Sequence, residues 1–434
     1  MDKETLRYVI TDQEKSTGKS IALKKLITRD SHGPLNLKNP TALVILGVRR
    51  SGKSTLSKQL FLGEKFGYVN FDDERLLGVN KDDLNAILQI FYELYGSDLE
   101  RIVLDEVQLV PGWEPFVSRM RDSNIVIITG SSSKLLSGEL SSRLTGRHVD
   151  FLLFPFSFRE FLKYKGWKIP SAFSTVERAE IVNLLEEYLF SGGFPEHYVL
   201  GKQIITNVYN DIVTKDVVQR HKIKHRDDLR QVARFLINNS SNEFTYASLK
   251  KITRIKSVVT LTNWVRYLEE AYLIFEIERF SFKLKQIINA PKKIYSVDNG
   301  IIRELSTEQS PNKGKYMENV VAIQLMRYCK NQDSFEVFYW KDHRGREVDF
   351  VIKRGNKILQ LVQVTFASSP ESISSRELES LVTASTYLKC DMLTVITWDY
   401  GGKLEKNGKT IEFIPLWKWL LLKSPLTSLA FENY

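Results

Sequence analysis

The chain has little cysteine and no long hydrophobic run. Its 434 residues include two cysteines, Cys329 and Cys390, which lie far apart and without metal-ligand spacing. A disulfide framework and a zinc ribbon are therefore not supported, and a reducing compartment fits best. No stretch reaches the roughly 18 apolar residues of a transmembrane helix. The opening Met1-Asp2-Lys3-Glu4 lacks the apolar core of a signal peptide. These absences predict a cytoplasmic protein without a membrane partner.

The composition is that of a globular protein with a basic middle. Hydrophobic residues make up 43% of the chain and charged residues 26%, which together with the length predicts roughly three domains. The formal net charge is +10, and residues 215–295 hold 17 Lys and Arg against 8 Asp and Glu, a balance of +9. A basic segment of this kind is typical of a polyanion binder, and a solvated surface is the alternative interpretation.

The most specific motif is a phosphate-binding loop. Residues 47–54 follow the pattern G-x-x-x-x-G-K-[ST], after the apolar run 42–46 and before the helix-like stretch 55–62. The glycines let backbone N–H groups surround an anion, Lys53 reaches the outer phosphates, and the Ser54 hydroxyl ligates Mg²⁺. The predicted nucleotide-binding residues are Gly47, Val48, Arg49, Arg50, Ser51, Gly52, Lys53, Ser54 and Thr55.

Five short apolar strands, separated by helical stretches, predict a parallel α/β domain around this loop. The third strand ends in Asp105-Glu106, a Walker B pattern. In this pattern Asp105 holds the Mg²⁺ shell, and Glu106 orients and deprotonates the attacking water. The predicted cofactors are therefore ATP and Mg²⁺. The predicted strands are 42–46, 66–71, 101–104, 125–129 and 149–153.

Two more polar positions are candidates for contact with the γ-phosphate. Ser131 follows the fourth strand, at the sheet edge where ligands bind, and an N-cap of the next helix is the alternative role. Arg143 or Arg147 can reach the γ-phosphate of a neighbouring subunit, with Arg147 favoured, and this predicts a homo-oligomer. The run 80–83 matches the N-K-x-D pattern of GTPases. It precedes the Walker B strand and is interpreted as a helix start, so adenine is the expected base.

Several short motifs follow one another in a recognisable order. They are Gly-Val-Arg-Arg-Ser-Gly-Lys-Ser, Val-Asn-Phe-Asp-Asp, Leu-Asp-Glu-Val-Gln, Ile-Thr-Gly-Ser-Ser-Ser, Leu-Thr-Gly-Arg, Phe-Pro-Phe-Ser-Phe-Arg-Glu-Phe-Leu, Gly-Gly-Phe-Pro-Glu and Tyr-Ser-Val-Asp-Asn-Gly. This order resembles a prokaryotic, often archaeal, family of AAA+-type ATPases whose members carry a C-terminal domain of uncharacterised function. The resemblance covers nearly the whole chain. It implies the AAA+ roles for Lys53, Ser54, Asp105 and Glu106.

The middle of the chain is predicted to be mostly helical. Residues 161–224 are interpreted as a helical lid, with a turn at Gly192-Gly193 rather than a second active site around His197. Three helical stretches at 229–238, 245–252 and 258–274, followed by an alternating run, predict a winged helix-turn-helix. DNA contact is one interpretation of this module, and a purely structural role is the other.

The C-terminal part resembles the restriction-endonuclease-like PD-(D/E)xK fold. Glu318 lies on a helix-like stretch and Asp349 at the end of a strand, and the next strand ends in Gln363-Val364-Thr365. Active members of that fold carry a lysine at the position of Thr365, which threonine cannot replace, so the domain is expected to be degenerate. Glu318, Asp349 and Gln363 form a candidate second metal site. The aromatic stretch 416–422, with two tryptophans, is expected to close a core.

The sequence therefore predicts an α/β protein with a P-loop AAA+-type parallel sheet. The predicted parts are an N-terminal segment 1–36, an ATPase core 37–160, a lid 161–224, a winged helix-like domain 225–290 and a PD-(D/E)xK-like domain 291–434. The first functional hypothesis is a Mg²⁺-dependent ATPase that couples hydrolysis to DNA binding or remodelling. The alternatives are an ATP-dependent signalling switch, similar to STAND proteins, that acts on a protein partner, and an ATP-regulated nuclease.

Overall fold

The computed structural model describes residues 1–23, 26–30, 37, 40–132, 147–308, 310–331 and 335–424. The chain divides into two compact units. Unit 1 contains Met1–Phe154 and Glu270–Tyr272, and unit 2 contains Pro155–Glu269 and Leu273–Tyr434. Each unit is considered by itself. No helix of the described ranges is both long and apolar enough to cross a bilayer.

Unit 1 is built on a five-stranded sheet in which every neighbouring pair is parallel. The strands are rich in Val, Ile and Leu, and the inner ones are buried except at the first residues of β3 and β4, as expected for a parallel sheet covered on both faces. The strand order is β2-β3-β4-β1-β5. The predicted parallel α/β fold is confirmed. The strands are β1 (Ala42–Leu46), β2 (Gly67–Asn70), β3 (Arg101–Asp105), β4 (Ile125–Gly130) and β5 (His148–Leu152).

Four described helices pack in unit 1. The first belongs to the sheet domain, because its Leu6, Val9 and Ile10 are fully buried in the same hydrophobic cluster as Val44. The third begins at Asp83, whose carboxylate accepts the Asn80 N–H at 3.0 Å. The run 80–83 is thus a helix start, as the sequence predicted. The helices are α1 (Lys3–Leu23), α2 (Lys53–Gln59), α3 (Asp83–Tyr95) and α4 (Glu114–Met120).

Unit 2 begins with four helices and a π-helical segment. The first two start with a capping box, in which Ser157 pairs with Glu160 and Ser174 with Glu177, so their N-termini are fixed locally. These elements are α5 (Phe158–Lys165), α6 (Thr175–Ser191), α7 (Pro195–Leu200), α8 (Gln203–Asp211) and the π-helix Ile212–Gln219.

A small three-stranded sheet with three larger helices follows. Strands β7 and β6 both pair antiparallel with β8, which is the central strand. The helix predicted over 258–274 ends earlier, because Tyr272 adopts a left-handed backbone with φ of 57° and β7 starts at Ile274. The elements are α9 (Arg226–Asn238), β6 (Asn242–Phe244), α10 (Tyr246–Ile252), α11 (Val258–Glu270), β7 (Ile274–Ile277), α12 (Leu284–Asn289) and β8 (Lys292–Ser296).

The C-terminal part of unit 2 is a mixed six-stranded sheet with helices, in agreement with the predicted α/β domain. Its strand order is β13-β14-β12-β11-β10-β9. Trp417 and Trp419 are buried, so the aromatic stretch closes a core as expected. The elements are α13 (Asn299–Leu305), α14 (Lys313–Lys330), β9 (Phe335–Lys341), β10 (Glu347–Arg354), β11 (Lys357–Val364), α15 (Ser375–Leu388), β12 (Leu393–Thr397), β13 (Gly402–Lys406), β14 (Lys409–Pro415) and α16 (Leu416–Leu420).

The Gly-Gly-Phe-Pro and Val-Asp-Asn-Gly motifs meet inside unit 2. The fully buried Asp298 carboxylate accepts the N–H of Gly193 at 2.5 Å and that of Gly300 at 2.8 Å. A Cβ on Gly192 would stand 1.9 Å from Asp298 Oδ1, so this position has no room for a side chain. The motifs form a packed turn between α6 and α7, which is the interpretation that the sequence favoured over a second active site.

Candidate nucleotide site

The phosphate-binding loop connects β1 to α2. Gly47 has φ of 143°, and a Cβ there would stand 2.1 Å from the carbonyl oxygen of Leu153, so only glycine fits. Lys53 is the first residue of α2, and its ammonium donates to the carbonyl oxygens of Gly47 and Val48, both at 3.1 Å. The lysine therefore lies over the loop, where an incoming phosphate can take the place of the two carbonyl groups.

The other predicted loop residues surround the same turn. Arg50 and Gly52 have left-handed backbones, with φ of 63° and 99°, as a tightly curled loop requires. Arg49 lies 3.6 Å from the Asp72 carboxylate. Ser51 is buried, Ser54 is half-buried and Thr55 is exposed. The backbone thus has the curvature that brings successive N–H groups toward one anion.

Arg29 supports this loop and was not predicted. Its guanidinium donates to the carbonyl oxygen of Ser51 at 2.8 Å and to that of Phe154 at 2.5 Å. Arg29 lies 22 residues before Ser51, outside any pattern of the loop, so no local spacing in the sequence indicates this contact.

Asp105 occupies the carboxyl end of β3 and is fully buried. Its Oδ2 accepts the hydroxyl of Tyr68 at 2.8 Å, and its Oδ1 accepts the hydroxyl of Thr129. Burial, and then the charge of Asp105, raise the pKa of Tyr68, so this hydroxyl stays protonated and keeps donating. Two neighbouring strands thereby orient the predicted Mg²⁺ ligand. Tyr68 belongs to no motif of the sequence, and Thr129 lies in the Ile-Thr-Gly-Ser-Ser-Ser motif, which does not by itself indicate a contact with Asp105.

Glu106 follows Asp105 with a left-handed backbone, φ 54°. Such a backbone costs a non-glycine residue about 1 kcal/mol or more and is often found at functional sites. The carboxylate accepts from the side chain of Gln108 and from the Ser131 hydroxyl, the latter at 3.4 Å. The structure thus brings together Ser131 and Glu106, which the sequence predicted as residues of the nucleotide site. The reason is the strand order, which places β4 between β1 and β3.

Arg147 stands immediately before β5. Its carbonyl oxygen accepts from the Ala42 N–H at 3.2 Å and from the Arg121 guanidinium at 3.3 Å, and the residue is exposed. Its contact with a neighbouring subunit stays a prediction. The alternative arginine, Arg143, lies outside the described residues.

The three residues of the predicted second metal site also come together, in unit 2. Asp349 Oδ2 accepts the Gln363 amide at 2.8 Å, while Glu318 Oε1 and Asp349 Oδ1 each lie 3.0 Å from the ammonium of Lys293. Glu347 Oε1 is 2.7 Å from the same ammonium. Within the described ranges, no group of three or more His, Cys, Asp and Glu side chains is arranged to hold a metal ion.

The basic segment is divided between surface and interior. Lys292 and Lys293 are engaged with carboxylates of unit 2, Lys292 with Glu276 at 2.6 Å. The exposed cations of α10, of the loop after it and of the loop and helix between β7 and β8 are Lys250, Lys251, Arg254, Lys256, Lys283 and Lys285.

Comparison with known families and proteins agrees with this architecture. An AAA domain family matches residues 39–162. A domain of unknown function (DUF8612) matches residues 182–312, and another (DUF4143) matches residues 313–419. An uncharacterized protein of Methanocaldococcus jannaschii is 35% identical, over 92% of this chain and 91% of its own. One of Haemophilus influenzae is 30% identical, over 87% of this chain and 94% of its own.

This chain belongs to the same family, which joins an AAA domain to a DUF4143 domain. The resemblance noted in the sequence is thereby confirmed, and an AAA domain implies nucleotide binding at the phosphate-binding loop. Among solved structures, Cdc6p of Pyrobaculum aerophilum aligns at 14% identity over 62% of this chain and 89% of its own, with a TM-score of 0.22. A STAND protein of Pyrococcus horikoshii aligns at 13% identity over 67% of this chain and 44% of its own, with a TM-score of 0.25. TM-scores this low do not support a conclusion about the function of this chain.

Proposed function

We propose that the protein is a Mg²⁺-dependent ATPase that couples ATP hydrolysis to binding or remodelling of DNA. The observation that carries the ATPase part is the arrangement at one sheet edge. The loop with Lys53 follows β1, the Asp105-Glu106 pair ends β3, and Ser131 follows β4 between them. Ligands of parallel α/β sheets bind at this edge.

Each residue of this site has a distinct role. The backbone N–H groups of residues 47–54 and the Lys53 ammonium bind the β- and γ-phosphates, since the loop curls around one point. The oxygens of Ser54 and Asp105 suit Mg²⁺, a hard cation that prefers oxygen ligands. A magnesium ion held by these residues would neutralise charge that develops on the phosphates. Glu106 accepts a proton from the attacking water, and Ser131, 3.4 Å from Glu106, positions that carboxylate or contacts the γ-phosphate.

The DNA part is supported by residues 226–296 of unit 2. The elements follow the order helix, strand, helix, helix, strand, short helix, strand, and the last strand is central in an antiparallel sheet. This order resembles that of a winged helix in which the short helix α12 lies between the last two strands. In such modules the third helix enters the major groove, and the wing contacts phosphates. Here α11 would be that helix, and Arg266 is exposed on it. The exposed cations of α10 and of the β7–β8 connection suit phosphate contacts.

ATP turnover measured with different nucleic acids tests this function. Purified full-length protein is assayed at low salt without DNA and with single-stranded, duplex and branched DNA. We expect DNA to stimulate turnover, Lys53→Ala to weaken nucleotide binding, and Glu106→Gln to bind ATP but to lose turnover by about 10²-fold or more. Failure of the wild type to bind or hydrolyse ATP with Mg²⁺ would refute the ATPase. Turnover that is indifferent to every DNA would instead favour a switch that acts on a protein partner.

We also propose that the enzyme works as a homo-oligomer in which Arg147 acts on the nucleotide of a neighbour. Its exposed position before β5 supports this role. Mixing experiments test it: an Arg147→Ala subunit should regain turnover when it is mixed with a Lys53→Ala subunit, since each supplies what the other lacks. No recovery in mixtures that co-assemble by mass measurement would argue against a shared site.

A further inference from the structure

Lys293 is the most deeply buried lysine side chain of the C-terminal region. It lies on β8, the central strand of the three-stranded sheet, and is 2% exposed. Its ammonium is 2.7 Å from Glu347 Oε1, 3.0 Å from Glu318 Oε1 and 3.0 Å from Asp349 Oδ1. These carboxylates belong to α14 and β10 of the nuclease-like part. A lysine from one sheet thus fills the acidic centre of another.

Asp349 and Glu318 also accept other hydrogen bonds. Asp349 Oδ2 accepts the Gln363 amide at 2.8 Å and the Val364 N–H at 3.0 Å. Glu318 Oε1 also accepts the Tyr295 hydroxyl at 2.8 Å. A divalent cation shared by Glu318 Oε1 and Asp349 Oδ1 would need the position that the Lys293 ammonium holds. An ammonium and a divalent ion cannot occupy the same space, so the side chains present do not fit the metal of a PD-(D/E)xK site.

A second lysine stands beside the three carboxylates. Lys341 lies 3.0 Å from the outer oxygen of Glu347. Two ammonium groups therefore face the three carboxylates of this centre.

We propose that the Lys293 ammonium is the resident cation of the C-terminal domain and takes the place of the divalent metal. The wild-type domain then binds no metal at this centre and cleaves no nucleic acid, and the ammonium instead ties β8 to α14 and β10. One atom marks the position of a metal ligand: Gln363 Oε1 is buried and has no hydrogen-bond partner among the described residues. Removal of the lysine side chain leaves this oxygen beside two carboxylates, which is a set that Mn²⁺ or Mg²⁺ accepts.

The competing interpretation makes Lys293 the nuclease lysine that is absent at Thr365. That role requires a metal to share the carboxylates with the lysine, which then positions a water molecule. The ammonium lies 2.7 to 3.0 Å from one oxygen of each of three carboxylates, so a metal bound at those oxygens would have to displace it. The two interpretations predict opposite results for the wild type, since only a nuclease binds Mn²⁺ at Asp349 and cuts DNA.

Metal rescue of a lysine variant is the decisive experiment. Full-length protein without nucleotide is unfolded thermally in EDTA and in Mn²⁺, and bound Mn²⁺ is counted by EPR. We expect no Mn²⁺ site in the wild type that Asp349→Asn abolishes. Lys293→Ala should unfold at a lower temperature in EDTA, gain one Mn²⁺ site and recover about 5 °C in Tm when Mn²⁺ is added. The double variant Lys293→Ala with Asp349→Asn should show no recovery of Tm in Mn²⁺. Lys341→Ala is the matched control, because it removes a neighbouring positive charge and leaves the Lys293 ammonium in place.

Two results would overturn the proposal. One is a Mn²⁺ site or DNA cleavage in the wild type that Asp349→Asn abolishes, and the other is a folded Lys293→Ala that gains no Mn²⁺ site. If Lys293→Ala does not fold, Lys293→Gln, which retains most of the volume, replaces it in the rescue assay, and the wild-type measurement decides by itself. Because none of these assays contains ATP, their outcome is separate from that of the ATPase.

Discussion

At the scale of single residues, Asp105 is held by side chains from two neighbouring strands. Tyr68 on β2 and Thr129 on β4 each donate a hydroxyl to one carboxylate oxygen. A buried carboxylate needs such donors, because an unpaired buried charge is costly. The same donors fix the direction of the carboxylate at the sheet edge.

Tyr68→Phe should lower the free energy of unfolding and raise the Mg²⁺ concentration that turnover requires. A buried hydrogen bond to a charged group contributes roughly 1.5 to 3 kcal/mol, so the free energy of unfolding should fall by about 2 kcal/mol. Because Asp105 then loses its orientation, half-maximal turnover should need more Mg²⁺. Urea unfolding and a Mg²⁺ titration of ATPase activity measure the two effects. Tyr8→Phe, at a residue 65% exposed, is the control. Equal Mg²⁺ requirements of wild type and variant would contradict the role given to Tyr68.

Some residues of the nucleotide site can be predicted from short motifs, and others reach the site only through the fold. Lys53, Ser54, Asp105 and Glu106 follow from short motifs, because each motif lies on one strand and the turn after it. Arg29 and Tyr68 contact the same site only through the fold, and their separation from their partners along the chain follows no period, so the sequence could not indicate them. Thr129 lies in a quoted motif, but its hydrogen bond to Asp105 depends on the pairing of β3 with β4.

At the scale of elements, the turn between α6 and α7 is fixed by one carboxylate. Burial raises the pKa of Asp298 to about 7, while the N–H groups of Gly193 and Gly300 act against this rise. The turn closes around that carboxylate without space for another carbon atom. The sequence indicated a turn from its two glycines but could not indicate its partner, which lies 105 residues away from Gly193.

Gly192→Ala should therefore destabilise unit 2 strongly. Its Cβ would stand 1.9 Å from Asp298 Oδ1, at a backbone with φ of 73°. Overpacking and backbone strain together should cost about 3 kcal/mol or more. Gly201→Ala is the matched control, because φ is 84° but nothing lies within 4 Å of the added carbon, so it should cost about 1 kcal/mol. Similar losses for both variants in urea unfolding would show that packing against Asp298 is unimportant.

A second element-scale prediction concerns the contact of α11 with β7. Burial, and then the charge of Glu276, raise the pKa of Glu269 from its ordinary 4.5 to about 8. The folded state therefore holds this proton more tightly than the unfolded state does. The resulting stabilisation is complete below pH 4.5 and is lost as the pH rises through 8.

Glu269→Gln should flatten this pH dependence. The Gln side chain can still accept the Glu276 N–H, which donates to Glu269 at 3.2 Å, but it carries no charge at high pH. Between pH 6 and 9 the wild type should lose about 2 kcal/mol more in unfolding free energy than the variant. Urea unfolding at several pH values measures this difference. Parallel curves for the two proteins would mean that Glu269 has an ordinary pKa.

At the scale of the whole molecule, fewer positive charges are available to a partner than the sequence indicates. The +9 balance of residues 215–295 includes Lys292 and Lys293, which form ion pairs with carboxylates of unit 2. Composition counts every lysine equally, whereas the fold decides which of them meets solvent. The sequence shows that this segment is basic but could not separate its surface cations from its internal ones.

The exposed cations should therefore dominate any salt dependence of DNA binding. Changing Lys250, Lys251, Arg254 and Lys256 to Gln should weaken binding to all DNA sequences similarly, because phosphate contacts carry no sequence information. The slope of log K against log salt should fall by about 0.9 for each phosphate contact that is removed. Fluorescence anisotropy at several salt concentrations measures this slope. Lys168→Gln with Lys403→Gln, also exposed, is the control, and an equal change there would indicate nonspecific attraction.

The lysine at the acidic centre of unit 2 also constrains how this family can diverge. A chain that replaces Lys293 by a neutral residue keeps three acids in close contact, so it must lose some of them or recruit another positive group. Positions 293, 318 and 349 are therefore expected to vary together among relatives. A lineage with the acids but without the lysine is the place to search for a member that cuts DNA.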